Sequence, residues 1–248
     1  MTLQDFFCEN PRAAIAFSGG VDSAYLLSEA IRCGAQVKAY YVKTAFQPRF
    51  ELEDACRLVE ELGGDMEILP VDILCHSIIA ANPADRCYHC KKVIFETILQ
   101  AARRDGFTLL LDGTNASDDA SDRPGMRALR ELSVCSPLRE CGLHKEEIRL
   151  LSKEAGLFTW DKPAYACLAT RIPTGEAITQ QKLERTEKAE SYLTALGFRD
   201  FRVRSEKDTA KLQITEKDLP KVLEYREAII NELKQHYKAV LLDLEVRK

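Results

Sequence analysis

No stretch of this 248-residue sequence approaches the ~18 consecutive apolar residues that a bilayer-spanning helix requires. Residues 1–10 contain Phe6, Phe7 and Cys8 but no basic region followed by an apolar run, so nothing there reads as a secretory leader. An excess of basic charge is also missing: 35 Lys and Arg stand against 39 Asp and Glu, a formal net charge of -4. Proteins that depend on phosphate-backbone contacts usually carry the opposite balance, which weighs against RNA or DNA as the main partner. Internal repeats and low-complexity tracts are absent. With 46% hydrophobic and 30% charged residues, the expectation is a cytoplasmic globular protein of one large domain or two unequal ones, without a membrane partner.

What is present, first, is alternation of strand and helix. Ala13, Ile15 and Phe17 open a short apolar run, a glycine loop follows, and Leu26, Leu27, Ala30 and Ile31 come next at helical positions. Residues 37–42, 66–71 and 107–112 read as further strands; residues 52–62, 93–102 and 145–155 read as helices. Such alternation predicts an α/β fold, a doubly wound parallel sheet covered on both faces, with ligands at the carboxyl ends of its strands. The pattern changes at residues 163–175, a loop too long for a simple connector. Beyond it, helices at 179–196 and 217–233 and strands at 201–204, 211–214 and 238–244 predict a small α+β domain. The expected domains are therefore 1–163 and 164–248.

The glycine loop is Ser18-Gly19-Gly20-Val21-Asp22-Ser23. Glycines let a backbone turn with positive φ and bring its N–H groups close to an anion, and the following helix adds its positive end. It lacks the Gly-Lys-Ser/Thr of a Walker A loop and the spacing of a G-x-G-x-x-G turn. Asp22 beside phosphate makes sense only near Mg²⁺ or as a helix cap; as a plain glycine turn, the segment would use Asp22 or Ser23 merely to cap.

Nine cysteines are many for a chain expected in a reducing compartment, where they point to metal binding or catalysis more than to disulfides. Cys8, Cys33, Cys56, Cys75, Cys135 and Cys141 lie apart in apolar or helical stretches and read as small buried hydrophobes. Asp85-Arg86-Cys87-Tyr88-His89-Cys90-Lys91-Lys92 opens a helix, and Cys167 lies in the long loop. Two thiols at this spacing on a helix start, their pKa lowered by the helix end, suit a shared metal or cluster. Zinc held by Cys87, Cys90, His89 and Cys167, a redox pair, and a fortuitous C-x-x-C all stay open on spacing alone.

The hexapeptide resembles the PP-loop of the ATP pyrophosphatases, which include NAD synthetase, GMP synthetase, asparagine synthetase and tRNA thiolases. That resemblance implies an adenine nucleotide alpha hydrolase-like domain. It implies ATP, with Mg²⁺, cleaved to AMP and pyrophosphate, and a substrate oxygen activated as its adenylate. Asp112-Gly113-Thr114-Asn115, Arg123-Pro124-Gly125, Ser136-Pro137-Leu138, Ala166-Cys167-Leu168-Ala169-Thr170-Arg171-Ile172-Pro173-Thr174-Gly175 and Phe201-Arg202-Val203-Arg204 extend the likeness. With DRCYHCKK, their order and spacing resemble the LarE family of ATP-dependent sulfur transferases over essentially the whole chain. The resemblance implies conversion of the carboxylates of pyridinium-3,5-biscarboxylic acid mononucleotide to thiocarboxylates, toward the nickel-pincer cofactor of lactate racemase.

One branch of that family sacrifices a cysteine at the position of Cys167, leaving dehydroalanine. Another keeps three cysteines, matching Cys87, Cys90 and Cys167, around a 4Fe–4S cluster with one iron open for sulfide. All three are present, so the cluster branch is the expectation, with the sulfur donor unspecified and a homo-oligomer implied. Carried over residue by residue, Ser18, Gly19, Gly20, Val21, Asp22 and Ser23 fall to ATP, with Thr44 near adenine by fold position. Arg202 and Arg204 fall to a substrate phosphate, a task suited to guanidinium forks, although alternating arginines also make an ordinary solvated strand face. Glu190 matches an acidic residue implicated in sulfur transfer, and Arg171 would shield a thiolate or bind phosphate; a solvated Glu and a loop salt bridge are the plainer readings.

Two departures bear on the small domain. Gln213 stands where the family commonly has Glu, and the sequence ends Leu244-Glu245-Val246-Arg247-Lys248 in place of a glycine- and arginine-containing tail. A divalent-metal site there and phosphate binding by the tail are left out of the expectation. Competing readings are a PP-loop thiolase or amidotransferase acting on tRNA or another carbonyl, and a non-catalytic nucleotide- or zinc-binding module.

Overall fold

The computed structural model describes residues 1–118 and 124–247, so Arg123 and Lys248 of the motifs above lie outside the described residues. In chain order the elements begin α1 (Leu3–Glu9), β1 (Arg12–Ala16), α2 (Val21–Arg32), β2 (Gln36–Lys43), α3 (Arg49–Glu61), β3 (Met66–Pro70), α4 (Ser77–Ala80) and α5 (Arg86–Arg104). They continue with β4 (Leu110–Leu111), α6 (Pro124–Glu131), α7 (Pro137–Glu140), α8 (Lys145–Glu154), α9 (Gln180–Ala195), β5 (Phe201–Glu206), β6 (Thr209–Ile214), α10 (Leu219–Glu224), α11 (Arg226–Leu233) and β7 (Ala239–Leu242). Two compact units result: Met1–Ile73 with Asp85–Ala164, and Leu74–Ala84 with Tyr165–Lys248.

In the first unit, a parallel sheet runs in the order β3-β2-β1-β4 among the described residues. Successive side chains of a strand face opposite ways, so Ala13, Ile15, Ala39 and Tyr41 join one apolar layer with α2 and α3. Ala14, Tyr40 and Val42 join the other layer, with α5. Both faces are thus covered, as βαβ crossovers require. The chain leaves β1 toward β2 on one side and meets β4 on the other, which makes the carboxyl end of β1 the switch point where ligands of such sheets bind.

The expected strand over 107–112 is confined to β4 because its start is spent ending α5. Gly106 is at φ 79° and the Phe107 N–H donates to the Ala102 carbonyl, an αL helix stop. Sheet pairing resumes with Ala14 N–H on the Leu109 carbonyl. The helix expected over 217–233 is broken at Tyr225, whose φ of -91° and ψ of 12° depart from helical values; no local sequence feature marks that break. Helix α1 was not expected, although Thr2 and Asp5 form a reciprocal cap at its start, Thr2 N–H to Asp5 Oδ2 at 2.8 Å and Asp5 N–H to Thr2 Oγ1 at 3.1 Å.

In the second unit, β5 and β6 form an antiparallel hairpin and β7 lies parallel to β6. Phe201, Val203, Ala210, Leu212 and Ile214 pack against Ala189 and Leu193 of α9. Arg202, Arg204, Lys211 and Gln213 therefore share the other face, Arg204 opposite Lys211 and Arg202 opposite Gln213. The segment Leu74–Ala84 belongs to this unit through Asn82, which is buried at φ 57°. Its side-chain amide donates to the Pro173 carbonyl at 2.8 Å and the Glu176 carbonyl at 3.2 Å, and its own carbonyl accepts from Gly175 N–H at 2.8 Å. No helix among the described residues is long and apolar enough to cross a membrane.

Candidate active site

The glycine loop joins β1 to α2 at the switch point. Gly19 adopts φ 72°, and a Cβ there would lie 3.1 Å from Ala55 Cβ and 3.4 Å from the Glu51 carbonyl oxygen. Glycine is thus required twice over, by conformation and by the closeness of α3. Ser18 and Ser23 tie the loop together: Ser18 N–H donates to Ser23 Oγ at 3.3 Å, and Ser23 Oγ donates to the Gly20 carbonyl at 3.1 Å. Gly20 is the N-cap residue of α2 and offers no side-chain cap, so the first N–H groups of the helix are left for another acceptor. This cradle fits the phosphates of ATP.

Asp22 lies in the first turn of α2. Its carboxylate accepts from Lys145 Nζ at 2.6 Å and from Asn115 Nδ2 at 3.3 Å. Asn115 ends the Asp112-Gly113-Thr114-Asn115 segment after β4, and Lys145 is the first residue of α8. Gly113 is needed because its backbone runs against α2: a Cβ would come within 2.9 Å of Ser23 N and 3.2 Å of Ser23 Cα. Asp112 is held by Ser136 Oγ at 2.6 Å and by the Thr114 hydroxyl. Sequence reasoning missed Lys145; a basic residue opening a helix after the Ser136-Pro137-Leu138 motif was its signal. Thr44, at the carboxyl end of β2, is buried, its N–H and hydroxyl both donating to Gln47 Oε1 at 2.9 and 2.7 Å. It shapes the turn into α3 beside the glycine loop.

The nine cysteines are all described and are thiols rather than disulfides. Cys87 and Cys90 occupy the first turns of α5 in the first unit, Cys87 exposed and Cys90 half-buried. No acidic residue lies in that first turn, and a buried guanidinium, Arg86, donates to Cys87 Sγ at 3.7 Å. His89 is turned to Asp85 at 3.2 Å. Burial pushes the Cys135 thiol up to about 12, helped by the Glu140 carboxylate it donates to. Cys167, half-buried in the second unit, is the N-cap residue of a 3₁₀ turn, Leu168–Arg171. Thiolate donors suit an iron–sulfur cluster chemically, but among the described residues no three His, Cys, Asp or Glu side chains are gathered as a metal site.

Around Cys167 the second unit is densely bonded. Glu190 on α9 is 4% exposed and Arg171 1%. Glu190 accepts from Arg171 Nε at 2.7 Å, Arg171 Nη2 at 3.1 Å, Tyr165 Oη at 2.5 Å and Val203 N–H at 2.9 Å. The carboxylate is occupied as a structural hub. Burial, then the Glu190 charge, raises the Tyr165 pKa well above the ordinary phenol value. Arg202, expected beside Arg204 on a phosphate, is buried, donates to the Phe201 carbonyl at 2.6 Å and lies over the Tyr165 ring. Arg204 instead lines a cavity of about 280 Å³ with Thr170, Arg171, Thr174, Lys211 and Gln213. Burial and the neighbouring Arg171 and Arg247 hold its pKa below the usual arginine value, and Glu206, paired with Lys211 at 3.2 Å, also lines the cavity. Gln213 bridges the cavity wall, accepting from Arg204 Nε at 2.7 Å and donating to Asp243 Oδ2 at 3.0 Å. Lys211 was not anticipated; its place opposite Arg204 follows from the hairpin register.

No family model matches the chain. An uncharacterized protein of Synechocystis is 37% identical over 250 residues, covering 98% of this chain and 92% of that protein. The pyridinium-3,5-bisthiocarboxylic acid mononucleotide synthase of Lactiplantibacillus plantarum is 31% identical over 236 residues, 94% of this chain and 86% of that enzyme. The tRNA-specific 2-thiouridylase of Thermotoga petrophila is 27% identical over 188 residues, but with 59% of this chain and 52% of that enzyme covered.

Proposed function

This chain belongs to the LarE-related family of the PP-loop ATP pyrophosphatase superfamily, and from that premise we propose that it adenylates a small pyridinium mononucleotide and exchanges the activated oxygen for sulfur. The observation that carries this reading is the glycine cradle at the switch point, with Asp22, Asn115 and Lys145 converging on it. A carboxylate oxygen of the substrate attacks the α-phosphorus of ATP, the bond to the β-phosphate oxygen breaks, and pyrophosphate leaves. The backbone N–H groups at the start of α2 take the charge of that leaving group. Asp22 would hold Mg²⁺, which would supply charge neutralisation for the phosphates, and Lys145, paired with Asp22 at 2.6 Å, is a cation within reach of the same cradle. A sulfur nucleophile next attacks the acyl carbon of the adenylate and AMP departs.

The substrate's own phosphate is assigned to the cavity, between Arg204 and Lys211, where Thr170 and Thr174 add hydroxyls. Cys87, Cys90 and Cys167 would hold the 4Fe–4S cluster, whose chemistry, when bound, is to offer an iron open to hydrosulfide. The full-length likeness to the mononucleotide synthase favours this substrate over tRNA, where the matched thiouridylase shares only about half its length.

The test supplies ATP, Mg²⁺ and pyridinium-3,5-biscarboxylic acid mononucleotide under anaerobic conditions. AMP and pyrophosphate are expected in step with thiocarboxylate; ADP would end the reading. Intact mass after turnover separates sulfur sources: unchanged Cys167 with multiple turnovers supports the cluster, whereas stoichiometric dehydroalanine at Cys167, with activity surviving Cys87→Ala, refutes it.

A further inference from the structure

Tyr165 stands two positions before Cys167 and Arg171 four positions after it, and both end on the same buried carboxylate. Tyr165 Oη donates to Glu190 Oε2 at 2.5 Å, while Arg171 Nε and Nη2 donate to Oε1 and Oε2 at 2.7 and 3.1 Å. Between them sits Cys167, and its neighbours are fixed from within the turn. Arg171 Nη1 donates to the Ala166 carbonyl at 2.9 Å and to Thr170 Oγ1 at 2.8 Å. The Cys167 carbonyl accepts from Thr170 N–H at 2.9 Å and from Thr170 Oγ1 at 2.8 Å. Glu190 is itself anchored to β5 through Val203 N–H. The Tyr165 ring lies under the guanidiniums of Arg171 and Arg202, at 4.7 and 5.4 Å from the ring centroid.

We propose that Tyr165 is a positioning residue: with Arg171 it clasps Glu190 from both ends of the turn, and this clasp sets the orientation and access of the Cys167 thiol. The idea rests on the sulfur-transfer reading for its consequence in catalysis, but not for its geometry. A turn of this length with only one end tied can swing about that tied end. Tied at both, it presents one side chain in one direction, the condition for a group that must meet a reacting centre within a fraction of an ångström. The phenol ring alone would keep both guanidinium contacts, so the hydroxyl's share can be removed separately.

Tyr165→Phe does this without opening a cavity. The full-length reduced protein is alkylated with iodoacetamide, and rate constants are read peptide by peptide, Cys87 and Cys90 serving as references in the same digest. Expected is a change of about tenfold in the Cys167 rate constant, the scale of effect that misplacement of a reacting group produces, with Cys87 and Cys90 unmoved. In turnover, kcat for thiocarboxylate should fall while KM for ATP and substrate-dependent pyrophosphate release hold. Cys167 alkylation and kcat both within about twofold of wild type would overturn the clasp, twofold being about 0.4 kcal/mol. So would a loss of pyrophosphate release that parallels the loss of sulfur transfer, because the effect would then be general. If wild-type protein releases no pyrophosphate with the mononucleotide, the functional reading fails, and the alkylation rates still decide the clasp.

Discussion

Gly19→Ala perturbs the loop in two separable ways. A residue with a Cβ at φ 72° costs about 1–2 kcal/mol in left-handed strain. The new methyl would also sit 3.1 Å from Ala55 Cβ and 3.4 Å from the Glu51 carbonyl oxygen. Neither neighbour is the far end of a flexible side chain, so α3 or the loop must move, an overpacking cost of about 1–3 kcal/mol. Gly34→Ala supplies the control, because Gly34 has φ 74° and nothing within 4 Å of the position a Cβ would take. It should lose the strain term alone. At roughly 2–4 °C per kcal/mol for a chain of this size, Gly19→Ala should melt lower than Gly34→Ala by about 2–12 °C in thermal denaturation followed by circular dichroism. Substrate-dependent pyrophosphate release should disappear in Gly19→Ala and persist in Gly34→Ala. Equal melting temperatures for the two variants, within about 1 °C, would refute the close approach of α3 to the loop.

Further outcomes follow from the same geometry. Lys145→Ala should abolish pyrophosphate release while shifting stability by no more than about 1 kcal/mol, since its ion pair with Asp22 is partly exposed; retained release would remove Lys145 from phosphate binding. Glu190→Ala leaves the Arg171 guanidinium buried without its carboxylate and should cost about 3–5 kcal/mol in urea unfolding, whereas a loss below about 1 kcal/mol would mean that Glu190 is no hub. Burial holds the Glu51 carboxyl above its ordinary value of 4.5, with Lys162 opposing. The folded-state pKa being raised, this group's contribution is full below the unfolded value and is lost as pH rises through the folded one. Glu51→Gln should therefore melt above wild type at about pH 7.5, the gap closing toward about pH 4; wild type remaining the more stable at the upper end would contradict the burial argument.

The glycine loop was legible because its chemistry is local. Six consecutive residues carry the turn, the anion-facing N–H groups and the helix start, and the flanking periodicities gave the strand–loop–helix order that the α/β sheet displays. The partners of that loop were not legible. Lys145 lies 123 positions from Asp22, and only the folded sheet brings α8 to the start of α2. In the second unit, period two placed Arg202 and Arg204 on one face of β5, but which of them opens into the cavity depends on Tyr165 and the Phe201 carbonyl, which hold Arg202 back. Glu190 illustrates the same limit. Helix α9 reads as polar from its composition, and the family resemblance rather than its periodicity singles out Glu190, whose buried bonding to Arg171, Tyr165 and Val203 only the fold displays.

The capture of Leu74–Ala84 by the second unit has a consequence for modularity. A fragment cut at Tyr165 would lack the Ala80 carbonyl that receives Ile178 N–H at 2.7 Å and both polar ends of the Asn82 side chain and backbone that hold residues 173–176. The smaller unit is therefore discontinuous in the chain, and neither half can be excised, swapped or fused as a cassette along a single boundary. During synthesis Leu74–Ala84 emerges long before Tyr165–Lys248, so this unit can close only after the residues of the larger one have been made. Grafting the smaller unit onto another scaffold would have to carry both of its pieces.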